Sequence, residues 1–354
     1  MDTTSGTLDE ALLRLHTSGP EFKGYLSNHG PMAVEAMVRN GRAHTVHRWL
    51  DSYENKLEGV PRAHGRITDA NWREALGDSS RVADWTAYFT GQVAERPWRA
   101  LLAEWWPRLL PGIAGAATHP AIRVGHAVRS LLSEGEDAEG EDTARLAEFA
   151  HALGYWAARH LLLPVAVHPA GRATPSEALA ALPRIAEQHV TPVTGYAHLP
   201  ATPGWLSATE SLHLPDDPEA IREGLTALVR AATLNYADYG HGNGIMLVHA
   251  ATAPNAVLRT LPALPRELWA RSFAVAWAAT SAITAIYAAD TPLPAPDAAS
   301  ITPEEVFERA VANGNEHAIK FADTALDVAA TSEDGDTRAL SAALNALTLI
   351  DEDD

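Results

Sequence analysis

The sequence predicts an all-α protein, a single large helical domain over residues 1–354. Three observations predict it. Apolar residues recur at helical spacing along most of the chain, helix-cap signatures punctuate it, and no segment alternates apolar and polar residues over a useful length. With 354 residues and 46% hydrophobic content, the chain can bury a sizeable core.

The elements follow in order. Thr7-Leu8-Asp9-Glu10 has the form of a capping box and predicts a helix over 9–16. Pro31 suits the first turn of a helix running to about Asn40 and closed by Gly41. Residues 43–57 keep apolar side chains at helical spacing, and 141–163 continue that pattern at greater length. Asp217-Pro218-Glu219 starts a helix that runs to about Ala237. Residues 272–289 carry no charge and are rich in alanine. Thr280, Ser281 and Thr284 interrupt them, and they are barely long enough to span a bilayer, so they read as a buried core helix. Thr302-Pro303-Glu304-Glu305 is a second capping box with proline at the first helical position, and Gly314 interrupts before a helix that carries His317 and Lys320. A last amphipathic helix covers about 337–347. Strand signals are poor: 164–168 is short and apolar. The proline-rich stretch 169–215, with Tyr196 and Trp205 inside it, is either a long loop across a pocket mouth or a connector between helical halves.

Composition excludes several functions. The formal net charge of −18 argues against a nucleic-acid partner, which a basic surface would attract. Part of the excess is local, in an acidic loop at about 133–142 that holds six acids and in the acidic tail 351–354; both read as solvated segments. Cysteine is absent, so disulfides, thiolate zinc sites, iron–sulfur clusters and cysteine nucleophiles are excluded. Residues 1–7 lack a basic region followed by an apolar core, and a cytoplasmic location without membrane attachment is the simplest expectation. There is no Walker-type loop, no GxSxG and no HExxH, and the glycines at 240–244 read as a turn. The ten tryptophans suit either a core or stacking against a flat aromatic ligand.

The candidate chemistry lies among sixteen histidines and one lysine. Most histidines, His16 and His151 among them, have no partner pattern. Four begin or occupy apolar, helix-like segments: His29, His119, His249 and His317. Each is either a core histidine bonded to a carbonyl or a metal ligand, since a buried imidazole needs partners for both nitrogens. His126 follows His119 by seven residues and so faces the same side of a helix, about 10.5 Å further along. One metal takes one of these two more easily than both, and the sequence leaves open which. Of 27 basic residues only three are lysines, and Lys320 stands one helical turn after His317. An ammonium there would repel a metal dication, whereas a lysine carboxylated by carbon dioxide presents a carboxylate, which arginine cannot do. The plainer reading is a surface lysine whose stem covers apolar neighbours. Four imidazoles and one oxygen donor fill five octahedral positions and leave a sixth for dioxygen or substrate.

Four segments resemble the questin oxidase family. They are Leu26-Ser-Asn-His29-Gly-Pro-Met-Ala33, His119-Pro-Ala-Ile-Arg-Val-Gly-His126-Ala-Val-Arg, Leu247-Val-His249-Ala-Ala-Thr252-Ala-Pro and Asn315-Glu-His317-Ala-Ile-Lys320. Their order covers roughly residues 20 to 330. The resemblance implies an oxidoreductase that oxygenates or opens anthraquinone-type rings of aromatic polyketides, with a Baeyer–Villiger-like or dioxygenase outcome. It implies Fe(II) held by four histidines and a carboxylated lysine, with dioxygen as co-substrate. Carried over by motif, the ligands are His29, His119, His249, His317 and Lys320. Fungal members have Gly-Tyr where Gly125-His126 stands here, so His126 is expected beside the ligands as a catalytic candidate rather than among them. The role of Arg123, in the same variable stretch, stays open. NADPH use has been described for the family, but no binding fingerprint for it or for flavin is present. Two other readings remain: a metal-dependent hydrolase in which a carboxylated lysine bridges two ions, and a non-catalytic protein that binds an aromatic metabolite.

Overall fold

Helices begin where the sequence supplies caps. In the computed structural model, which describes residues 3–133, 143–187, 190–331 and 337–351, Asp217 Oδ1 accepts from the backbone N–H groups of Glu219 and Ala220 at 3.0 and 3.1 Å and opens the helix Pro218–Tyr239. Thr302 Oγ1 accepts from Glu305 N and opens Pro303–Asn313, which closes on Gly314 at φ +84°. Asn315 Oδ1 then accepts from His317 N at 2.8 Å and opens Glu316–Ala330. Pro31 stands in the first turn of Gly30–Arg39, as expected. Thr337–Leu349 ends the helical sequence. The acidic loop expected at about 133–142 lies, apart from Ser133, outside the described residues, as does the acidic tail beyond Asp351.

The all-α expectation holds. Among the described residues the only strands longer than an isolated bridge are Glu21–Phe22 and Leu26–Ser27, which pair antiparallel. The first helix differs from expectation. It runs Thr3–Leu15, so Thr7 lies inside it rather than at its start. Adding a turn to an existing helix is cheap compared with nucleating one, and no residue before Thr7 forbids it. Two further helices, Val82–Glu95 and Trp98–Leu109, have no side-chain cap and gave no local signal.

By their contacts the residues group into two compact units: 1–162 with 259–265, and 163–258 with 266–354. In the first, the helices Val82–Glu95 and Thr143–Ala158 meet backbone to backbone. A Cβ on Gly154 would lie 2.8 Å from Thr86 N, so only glycine fits there. The core around them is aromatic. Trp105 meets Phe89 at 4.9 Å and Trp85 at 5.6 Å between ring centroids, and Trp106 meets Trp156 at 5.4 Å. These tryptophans are core residues, packed on one another.

In the second unit the helix Trp269–Tyr287 is buried along nearly its whole length. Thr280 Oγ1 donates to the Ala250 carbonyl at 3.0 Å, which explains how hydroxyls sit in an apolar helix. No helix among the described residues is long and apolar enough to cross a membrane. The stretch 169–215 is more ordered than its proline content suggests. It carries the short helices Pro175–Ala180, Pro192–His198 and Trp205–Glu210, two of them begun by proline. Buried Trp277 Nε1 donates to the Thr209 carbonyl at 2.8 Å and ties that stretch to the core helix.

Two alanine substitutions test the helix packing of the first unit. Gly154→Ala should lower stability by roughly 1–3 kcal/mol through overpacking. Gly91→Ala, on an open face of Val82–Glu95 with nothing within 4 Å of the added Cβ, should raise it by about 1 kcal/mol. Urea denaturation midpoints check both, and equal shifts would contradict the close approach.

Candidate metal centre

All four candidate histidines stand at or beside a helix N-terminus. His29 is the residue before Gly30–Arg39, His119 and His249 are the first residues of His119–Leu132 and His249–Thr260, and His317 is the second of Glu316–Ala330. That position has a chemical consequence. The chain entering a helix brings loop oxygens beneath the first-turn side chains. His119 Nδ1 lies 2.6 Å from the Ala116 carbonyl and His249 Nδ1 3.1 Å from the Met246 carbonyl, each three residues back. His317 Nδ1 lies 3.3 Å from Asn315 Oδ1. These oxygens can only accept, so the proton sits on Nδ1 and the lone pair is on Nε2.

The turn before His119 is unusual. Ala116, Ala117 and Thr118 take φ values of 42°, 52° and 72°, three consecutive left-handed residues that are not glycine. Such a conformation costs roughly 1–2 kcal/mol per residue, so the surroundings must impose it. Gly115 shows how they do so. A Cβ there would lie 1.7 Å from the Arg159 carbonyl, so the backbone is pressed against its neighbour as it enters the turn. The turn carries the Ala116 oxygen back beneath the His119 ring.

Within the first unit the structure brings His29 and His119 together. Their rings meet edge-on at 4.5 Å, with a nitrogen of each within 4.8 Å of the other. His29 is buried, and its backbone N–H donates to Tyr53 Oη at 2.7 Å. Within the second unit it brings His249 and His317 together, with ring centroids 5.5 Å apart. Burial, and next the Lys320 ammonium, push His249 down to about 3, so it is a neutral imidazole.

Lys320 is 1% exposed. The surface-lysine reading is therefore wrong, because a covering stem needs its charged head in water. Its Nζ has no hydrogen-bond partner among the described residues. Burial pulls it down to about 7 against the opposing charge of Glu316 one turn earlier.

His126 is buried on the face that also carries His119. Its Nδ1 lies 2.7 Å from Glu35 Oε2, and Arg129 Nε donates to Glu35 Oε1 at 2.8 Å. Burial works to raise Glu35, but Arg129 and His126 outweigh it and hold the carboxyl down to about 2. Burial pushes His126 down to about 4 despite Glu35, so it is neutral near pH 7. Arg123 has a definite role: Nε and Nη2 donate to the two oxygens of Glu148 at 2.6 and 2.7 Å, both side chains being buried. His16 Nε2 lies 3.0 Å from Glu148, and the His16 and His151 rings are 4.4 Å apart. Sequence reasoning missed this network and left His16 and His151 without partners. The available signal was a lone carboxylate in an apolar run, as at Met32-Ala-Val-Glu35-Ala-Met37.

These groups predict an acid-sensitive fold. Burial lowers His126 to about 4 and His151 to about 3, both below the ordinary value of 6.5. The folded state then binds fewer protons than the unfolded one, so this stability is complete above about pH 6.5 and is lost as the pH falls towards 4. Glu35 and Glu148, held near 2, extend the loss below the ordinary carboxylate value. Urea midpoints should fall steeply from pH 7 to pH 4, and His151→Asn should flatten the upper part of that slope. A midpoint independent of pH across this range would refute the assignment.

Comparison with known proteins agrees with part of the motif reading. No curated protein matches the sequence. Residues 27–134 match a protein-family model described as Questin oxidase-like. That segment carries His29, Glu35, His119, Arg123, His126 and Arg129, whereas His249, His317 and Lys320 lie beyond it. Over residues 27–134, therefore, this chain is similar to the Questin oxidase-like family, and with that to an oxidoreductase class.

Proposed function

We propose that this chain is a non-haem iron oxygenase that uses dioxygen to oxygenate or open a ring of a polycyclic aromatic polyketide, a flat anthraquinone-like phenol or quinone. Its Fe(II) is held by His29, His119, His249, His317 and the carboxylated side chain of Lys320. One observation carries the reading: a lysine 1% exposed, whose Nζ has no hydrogen-bond partner among the described residues, on the same helix as a buried histidine.

The residues fit the metal by their donor chemistry. A buried ammonium without a partner is costly, and carboxylation on Nζ replaces it with an anion that a cation satisfies. Nδ1 of His119, His249 and His317 is committed to a backbone or amide oxygen, so each offers Nε2. Imidazoles with a single oxygen donor suit iron among the divalent ions available to such a site. When bound, Fe(II) supplies the electron-transfer chemistry by which dioxygen reacts with an aromatic ring. The protein binds and orients the substrate, and excludes water through the apolar surroundings of these side chains. The substrate, as phenolate or hydroquinone, supplies the electrons.

Four experiments test this. Elemental analysis should find one iron per chain; two zinc ions would instead indicate a hydrolase. Lys320→Arg conserves charge but cannot be carboxylated, so it should lose most of the iron, and normal iron content in that variant would sink the assignment. Protein prepared with labelled bicarbonate should show a carbamate carbon resonance that Lys320→Arg lacks. Anaerobic titration of iron-loaded protein with hydroxyanthraquinones, followed by oxygen, should consume substrate. A stoichiometric demand for NADPH would retain the oxygenase and reject the substrate as electron source.

A further inference from the structure

His126 and its neighbours form a buried acid–base cluster that lies outside the proposed iron ligand set. Glu35 accepts from His126 Nδ1 at 2.7 Å, and Arg129 donates to both Glu35 oxygens. The proton of His126 is thus on Nδ1, and Nε2 carries the lone pair. Arg259 Nη1 faces Nε2 at a long 3.4 Å. Seven residues separate His126 from His119, two helical turns, so both rings project from one face of His119–Leu132. The distance between them, about 10.5 Å of helix rise, is that of a few fused rings.

We propose that Glu35, His126 and Arg129 form a proton relay in which His126 Nε2 takes the proton from a phenolic hydroxyl of the substrate. The inference rests on the substrate class proposed above and adds the step that makes the phenol reactive. The phenolic O–H bond breaks and an N–H bond forms on Nε2. The electron pair stays on oxygen, and the Glu35 carboxylate compensates the imidazolium so formed. His126 is the catalytic residue because it meets the substrate. Glu35 and Arg129 are positioning residues: Glu35 fixes the tautomer, and Arg129 keeps Glu35 ionised and unable to take the proton itself. A purely structural cluster would need only mutual pairing. This one instead leaves a nitrogen lone pair whose hydrogen bond, to Arg259, is long, on the face it shares with a candidate metal ligand.

The test reads ionisation in metal-free protein, so neither iron nor turnover enters it. The probe is 1,2-dihydroxyanthraquinone, whose visible band moves to longer wavelength when a hydroxyl ionises. It is added slightly below the pH at which it ionises in water. Wild-type protein should bind it with the red-shifted band. His126→Gln should bind it with the neutral band, and Glu35→Gln should lose most of the shift while retaining His126. Circular dichroism confirms that each variant is folded, and a neutral band in wild type overturns the relay even where a variant is not. Binding by wild type in the neutral form overturns the relay and spares the substrate class, as does a red-shifted band that survives in folded His126→Gln. No binding by wild type overturns the substrate class and the relay together.

Discussion

A buried imidazole has two nitrogens to satisfy, and in this chain the backbone disposes of one of them. His119 and His249 each direct Nδ1 to a carbonyl three residues back, and His317 directs it to the Asn315 side chain that also caps its helix. The arrangement depends on helix N-termini, because inside a helix the carbonyls are already engaged. It sets the tautomer and puts the lone pair on Nε2. At His119 the same requirement explains why the chain tolerates three left-handed residues in succession. The turn is unfavourable by itself, but it delivers the Ala116 oxygen, and the contact of Gly115 with the Arg159 carbonyl holds it there.

Buried charge is handled in two ways. In the first unit every buried carboxylate described here has an arginine: Glu35 has Arg129 and Glu148 has Arg123. Removing one partner of such a pair leaves an uncompensated charge, so each is a constraint on the fold as much as a source of stability. In the second unit Lys320 is buried with no hydrogen-bond partner for Nζ among the described residues. A chain that elsewhere pairs its buried cations makes this one conspicuous. The carboxylated-lysine proposal answers the charge problem and the coordination problem with the same atoms.

His126 separates the two kinds of histidine. His119, His249 and His317 give Nδ1 to neutral oxygens, whereas His126 gives it to a carboxylate. A neutral acceptor only orients a ring, while a carboxylate also stabilises the ring when it takes a second proton. The proposed proton relay rests on that difference rather than on proximity in the sequence.

The sequence by itself determined what depends on neighbours along the chain. Asp217, Thr302 and Asn315 cap their helices through backbone groups two or three residues away, so the helical class and several helix starts were legible. The four histidine segments were legible as motifs, and Lys320 stood out because arginine replaces lysine almost everywhere else. Only the tertiary structure decided matters that join distant residues. Glu35 and His126 are 91 positions apart, and His16 and Glu148 are 132 apart, so no local pattern could pair them. The left-handed turn at 116–118 was invisible for the same reason: alanine and threonine have no preference for it, and packing imposes it. Burial of Lys320 belongs here too, since a helix face becomes interior only when other helices cover it.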